Sequence, residues 1–153
     1  KMVVEEEINY LKIGLFDEKY LLEHQIVLKK INFKKTKPIC VMFADQGFDL
    51  NNIEKLIDIG YQGIMIDTCY KNSKSIVDLL SQKEIKYFLK RVKARGMVCG
   101  LSGSLKLEHI LMLRELKPDF LGFRGQLCDP LKARHKFNVN LAKEVSKKIK
   151  LGS

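Results

Sequence analysis

Short apolar runs recur along the chain, and each is followed by a stretch with helical spacing. Tyr10 to Leu15 alternates, with Leu11, Ile13 and Leu15 on one face and Tyr10, Lys12 and Gly14 on the other, which predicts a strand. Glu18 to Ile31 has helical spacing through Leu21, Leu22, Ile26 and Ile31. Pro38 closes a linker, and Ile39 to Ala44 reads as a buried strand. A helix from about Leu50 to Ile59 stops at Gly60. Gly63 to Asp67 is the next strand, and a helix from about Ser81 to Arg95 stops at Gly96. Met97 to Ser102 is the fourth strand, Leu107 to Leu116 a helix ended by Pro118, Asp119 to Gly125 the fifth strand, and Asn138 to Lys150 a last helix.

Strands alternating with helices predict one α/β domain over residues 1–153 with a parallel sheet. Runs this apolar suit strands buried on both faces. Five strand–helix units fit an open doubly wound sheet, and they equally fit a closed eight-stranded barrel that is three units short. Periodicity does not choose between them.

Composition narrows the function classes. A hydrophobic fraction of 46% over 153 residues is ample for a folded core and excludes a disordered chain. The net charge of +10, from 28 basic and 18 acidic residues, favours an anionic partner, or else a solvated lysine-rich surface. The basic residues are scattered among helices, Trp is absent, and no RNA- or DNA-binding pattern is legible, which argues against a nucleic-acid partner. No run of 18 apolar residues predicts a membrane span, the amino end lacks a signal-peptide shape, and a cytoplasmic location is expected. Cys40, Cys69, Cys99 and Cys128 form no CxxC pair and have no histidine at ligand spacing, so neither zinc nor another metal is expected. Their spacings of 29, 30 and 29 residues match one strand–helix unit and read as markers of a repeat. A start at Lys1 rather than Met is expected of a piece of a longer chain, and Leu151-Gly152-Ser153 is expected to be a non-native end.

Ligands of parallel α/β sheets bind at the carboxyl ends of the strands. Those ends carry Asp45, Asp67, Ser102-Gly103-Ser104 and Arg124-Gly125. Gly103 and Ser104 precede a helix and offer N–H groups, a hydroxyl and a helix dipole to a phosphate. Arg124, flanked by Gly122 and Gly125, offers a bidentate donor. Asp67 alternates with Met65 and Gly63 and is placed to pair with Lys12 or Lys71, or to move protons, unless it only braces its loop. Lys12 faces the barrel interior in one architecture, where its amine suits proton-transfer or Schiff-base chemistry. On an edge strand its ammonium simply lies in water.

Asp67-Thr68-x-x-Lys71, the run Gly103-Ser104-x-Lys106-x-Glu108-His109-Ile110 and Gly122-x-Arg124-Gly125, in this order, resemble the (5-formylfuran-3-yl)methyl phosphate synthase family of methanofuran biosynthesis. The similarity runs from about Ile8 to Lys148. It implies a (β/α)8 TIM barrel of which this chain carries strands four to eight. It implies a lyase that joins two glyceraldehyde 3-phosphate molecules through lysine amine chemistry, with no metal or organic cofactor. By the resemblance, Lys12, Asp67 and Lys71 are catalytic, while Asp45, Gly103, Ser104, Arg124 and Gly125 hold the phosphorylated substrate.

The family's Schiff-base lysine, on its second strand, has no counterpart here. Five strands of a barrel leave two open edges. Completion by a further segment, pairing with another chain as a homo-oligomer, or a non-catalytic homologue that binds phosphorylated ligands are the three expectations that follow.

Overall fold

The computed structural model describes residues 2–3, 8–47, 49–70, 74–129 and 136–150. Its centre is a five-stranded, all-parallel sheet of β2 (Tyr10–Leu15), β4 (Lys37–Phe43), β5 (Gly63–Asp67), β6 (Val98–Leu101) and β7 (Phe120–Leu121), paired in that order. Two residues each of β1 (Met2–Val3) and β3 (Ile31–Asn32) form a separate parallel pair. Between the main strands lie α1 (Leu21–Lys30), α2 (Ile53–Asp58), α3 (Ile76–Leu79), α4 (Gln82–Ala94) and α5 (Ile110–Glu115), with α6 (Val139–Lys150) at the end.

Among the described residues the strand order never reverses, and the helix residues of the main core cluster pack on one face. Cys40, Met42, Ile64, Ile66, Cys99 and Leu101 point to that face and pack with Leu28, Ile53, Leu56, Ile85, Phe88, Val92 and Leu113 of the helices. The other face carries a smaller cluster of Ile39, Val41 and Met65 with Phe43, Val98 and Phe120, all from strands. A doubly wound sheet needs helices on both faces and a switch in strand order, so that alternative does not describe this arrangement.

The helix-free face is concave. Tyr10 and Phe120 belong to β2 and β7, the two edges of the sheet, yet their ring centroids are 6.2 Å apart. Four strand spacings would hold the edges roughly 19 Å apart in a flat sheet. Large and small residues alternate on this face, as a curled sheet requires. A Cβ on Gly100 would lie 2.1 Å from the Phe120 ring, and one on Gly63 would lie 2.3 Å from Ile39 Cδ1. Gly100→Ala therefore pushes the Phe120 ring off its seat and away from Tyr10. The expected cost is about 1–3 kcal/mol, read as a fall of roughly 3–10 °C in Tm.

Helix α4 shows why the local signals were legible. Ile85, Phe88, Leu89 and Val92 make its buried stripe, Ser81 and Glu84 close a capping box at its start, and Gly96 ends it at φ +66°. Helix α1 differs: Leu28 is its buried residue, while Leu22 and Ile26, expected on the core stripe, are 64% and 45% exposed. The fifth strand shrinks from Asp119–Gly125 to Phe120–Leu121 because β7 is an edge with one neighbour and the chain turns into a 3₁₀ helix at Gly125–Leu127.

The cysteines are not equivalent markers of one unit. Cys40 and Cys99 lie within β4 and β6 and are fully buried, whereas Cys69 and Cys128 follow β5 and β7 and are partly exposed. Matching positions thus recur every second unit. Burial pushes the thiols of Cys40 and Cys99 up to about 12. Since the thiolate is the nucleophile, a maleimide is expected to modify Cys69 and Cys128 in the native protein and Cys40 and Cys99 only after denaturation, as mass spectrometry of the labelled peptides would show.

Candidate active site

Because every strand of the main sheet runs the same way, the carboxyl ends of β2, β4, β5, β6 and β7 share one rim. Asp67 ends β5, in register with Phe43 and on the helix-free face with Met65. Its Oδ1 accepts the N–H of Thr68 at 2.7 Å. Thr68 is buried, and its hydroxyl lies 3.5 Å from that of Ser104, beyond β6. Ser102 donates its N–H to the Ile66 carbonyl at 2.8 Å, and its hydroxyl reaches the same oxygen at 3.3 Å.

Gly103 and Ser104 are both left-handed, at φ +102° and +50°. A non-glycine residue there is uncommon and marks a turn that its surroundings enforce. Gly103 is held against Thr68 and Ile76: an added Cβ would lie 2.8 Å from Thr68 N and 2.6 Å from Ile76 Cγ2. Its carbonyl accepts the N–H of Ile76 at 3.2 Å. Among the described residues, the N–H groups of Gly103, Ser104 and Leu105 donate to no protein acceptor. Gly103 and Leu105 are buried, and a buried N–H left without an acceptor is costly.

The expected helix dipole does not sit behind the turn. A 3₁₀ segment, Leu107–His109, intervenes, and α5 has only six residues. The N–H of Lys106 goes to His109 Nδ1 at 3.1 Å, and that of Leu107 to Gln126 Oε1 at 3.2 Å. Any anion would meet the turn's own N–H groups instead.

Gln126 ties the segment after β7 to this loop. Arg124 is exposed, and its guanidinium has no partner among the described residues. Gly125 has open space where a Cβ would stand.

Asp45 follows β4 and accepts the N–H groups of Cys69 and Tyr70 at 2.8 and 2.7 Å, one on each carboxylate oxygen. It braces the loop after β5. The chain returns from that loop through α3, where Asp78 accepts the Ser75 N–H at 2.7 Å. That hydrogen bond holds the Asp78 carboxyl below the usual carboxylate range. Lys71 lies outside the described residues.

Lys12 shares the helix-free face with Asp67 but not its level. It is in register with Ile39, which pairs with Gly63. Asp67 is four residues further along β5, roughly 13 Å in the strand direction. Lys12 is exposed on edge strand β2. The two are thus not brought together as an ion pair, and Lys12 takes the edge-strand position. Among the described residues, no three His, Cys, Asp or Glu side chains gather as metal ligands. None of the helices there is long and apolar enough to cross a membrane.

Thr68, named from sequence only as part of the Asp67-Thr68-x-x-Lys71 motif, and Gln126, not singled out there, join this rim. Thr68 carried a signal, since it follows the strand-ending Asp67. Gln126 carried none: its role is to receive one N–H from a loop 19 residues away.

Comparison with known proteins decides the family. The family model described as 4-HFC-P synthase matches residues 1–146. The chain belongs to the 4-HFC-P synthase family. Curated relatives named (5-formylfuran-3-yl)methyl phosphate synthase match the chain. That of Methanococcus maripaludis is 31% identical over 133 residues, covering 78% of this chain and 56% of the relative. That of Methanocaldococcus jannaschii is 27% identical over 153 residues, covering 93% of this chain and 64% of the relative. A Methanosarcina mazei protein of the same name is 30% identical over 131 residues, with 78% and 56% covered. This member of the 4-HFC-P synthase family thus spans under two thirds of the length of the relatives it matches.

Proposed function

We propose that the chain supplies the phosphate-holding rim of a furan phosphate synthase, condensing two glyceraldehyde 3-phosphate molecules to (5-formylfuran-3-yl)methyl phosphate in methanofuran biosynthesis. The reading includes a (β/α)8 barrel in which the five main strands are the fourth to eighth. The sequential strand order, one-sided helices and concave inner face support it. The observation that carries the functional reading is the Gly103–Ser104–Leu105 turn, whose three N–H groups have no protein acceptor among the described residues. In barrels of this kind the phosphate sits at the last two strand ends, here β6 and β7.

In this reading the phosphate lies on that turn with Arg124 and Gly125 beside it. Asp67, one strand away on the concave face, moves a proton at a substrate carbon. Lys71 acts as the neighbouring cation, or as the amine that forms an imine. Asp45 holds the loop that carries them. The protein works in the cytoplasm, and a further segment or a second copy pairs with the open edges of β2 and β7.

Intact mass after incubation with glyceraldehyde 3-phosphate and borohydride tests the chemistry. The substrate carbonyl loses its oxygen as water to a lysine amine, and borohydride reduces the imine to a stable secondary amine. The expected result is one such adduct, mapped to a lysine of the rim. A second reading, a phosphate-binding homologue without catalysis, is favoured by the exposed, unpaired position of Lys12. It predicts triose phosphate binding with no adduct.

A further inference from the structure

A cleft of about 420 Å³ opens between the carboxyl ends of β2 and β4, away from the Gly103–Ser104 turn. That volume is within the range of small-ligand pockets, roughly 300–1,000 Å³. Leu15 and Met42, both buried, form its floor. The rings of Phe16 and Phe43 stack at its side, with centroids 4.7 Å apart. Its polar side chains are two carboxylates and two amides, with no cation among them. Asp17, Glu18, Gln46 and Asn52 line it, and no Lys or Arg does so among the described residues.

Glu18 is held in place from the opposite side of the cleft. Its Oε1 accepts the side-chain amide N–H of Asn52, which is buried, and lies 3.4 Å from the N–H of Asp49. The segment after β2 is thereby tied to the segment after β4. Glu18 has no cationic partner among the described residues, so its second oxygen and its charge remain available. Asp17 differs, since Lys19 pairs with it at 3.1 Å.

Uncompensated carboxylate charge repels a phosphate and accepts hydrogen bonds from hydroxyls. We propose that this cleft is a subsite for the hydroxylated carbon chain of a phosphorylated triose, with Glu18 as hydroxyl acceptor and Asn52 as its positioning residue, an assignment that rests on the triose phosphate reading above. The two ends of the site then divide the ligand by charge. N–H groups and Arg124 take the phosphate at β6 and β7, and Glu18 takes hydroxyls at β2 and β4. Glu18 follows β2, three strand spacings or roughly 14 Å from β6, and its side chain reaches back to Asn52 beyond β4. A phosphate on the turn and a hydrogen bond at the far end of an extended carbon chain together bridge that gap.

Titration of the protein with inorganic phosphate and with glycerol 3-phosphate, by calorimetry, tests this. Glycerol 3-phosphate is expected to bind about tenfold tighter than phosphate, as one charge-assisted hydrogen bond allows. Glu18→Gln keeps the oxygen that accepts from Asn52, so the loop tie survives, but it removes the charge. It is expected to abolish that gain and leave the phosphate affinity unchanged. Phosphate binding with no tighter binding of glycerol 3-phosphate, or with no effect of Glu18→Gln, overturns the subsite and leaves the phosphate rim standing. If phosphate does not bind at all, the rim reading falls. D-glyceraldehyde then decides the cleft alone: amide shifts at Gln46, Gly47 and Asn52 sustain it, and their absence overturns it.

Discussion

In the proposed reaction, Asp67→Asn is expected to lower furan-forming turnover by about 10²–10⁴-fold, the usual contribution of a positioned acid or base. The substitution is chosen for what it keeps. An asparagine oxygen still accepts the Thr68 N–H that Asp67 Oδ1 accepts at 2.7 Å, so the end of β5 and its loop stay in place. What disappears is the carboxylate that gains and loses a proton. The KM for glyceraldehyde 3-phosphate should change by less than about threefold, because the proposed phosphate turn lies on another strand end. The check is the ultraviolet absorbance of the furan aldehyde, followed with the melting curve of the same variant. A variant with unchanged turnover would assign Asp67 to loop bracing, the role that Asp45 already fills through Cys69 and Tyr70.

Gly103→Ala is the second large effect, and it acts on fold and site together. An alanine at φ +102° is held where L-residues rarely go, a cost of about 1–3 kcal/mol. Its Cβ would also lie 2.8 Å from the backbone nitrogen of Thr68 and 2.6 Å from Ile76 Cγ2. The Ile76 side chain is fully buried and has little room to give. Overpacking adds about 1–3 kcal/mol, so the sum is about 2–6 kcal/mol, a large part of an ordinary domain's stability. Thermal melting should show a fall on the order of 10 °C. The turn must move to relieve the clash, and with it the unpaired N–H groups, so inorganic phosphate should cease to bind even below the new Tm. Gly125→Ala is the control: nothing lies within 4 Å of its Cβ position, and Tm should stay within about 2 °C.

These two positions show how differently candidate site residues are written in a chain. Asp67 was legible because β5 is an apolar run that ends in an acid, and a strand's alternation assigns that acid a face. Gly103 was legible as a glycine in a polar strand end with an N–H to offer a phosphate, but the close packing that demands a glycine there was not. Only the packed structure shows that Thr68 and Ile76, on a different strand end and helix, leave no space for a side chain there. The Glu18–Asn52 tie was not legible at all, since its partners are 34 residues apart and each looks like an ordinary solvated polar residue.

What the sequence by itself determined is local. The strand from Tyr10 to Leu15, the strand from Gly63 to Asp67, the glycine-stopped helices and the polar strand ends all follow from periods of 2 and 3.6 and from backbone preferences acting within a few residues. The family motifs belong to the same class, because each is a short run of neighbours. Only the tertiary structure decided how the units are arranged. Open doubly wound sheet and curled, one-sided sheet have the same alternation of strands and helices, and they differ in which strands pair and in which face each helix covers. Those choices come from long-range packing: Phe120 over Gly100, Ile39 over Gly63, and Tyr10 reaching Phe120 across the concave face. The same long-range packing separated Lys12 from Asp67. Strand alternation puts both on one face, but pairing register places them four residues apart in height, and register is fixed by the neighbouring strands rather than by either residue's own surroundings.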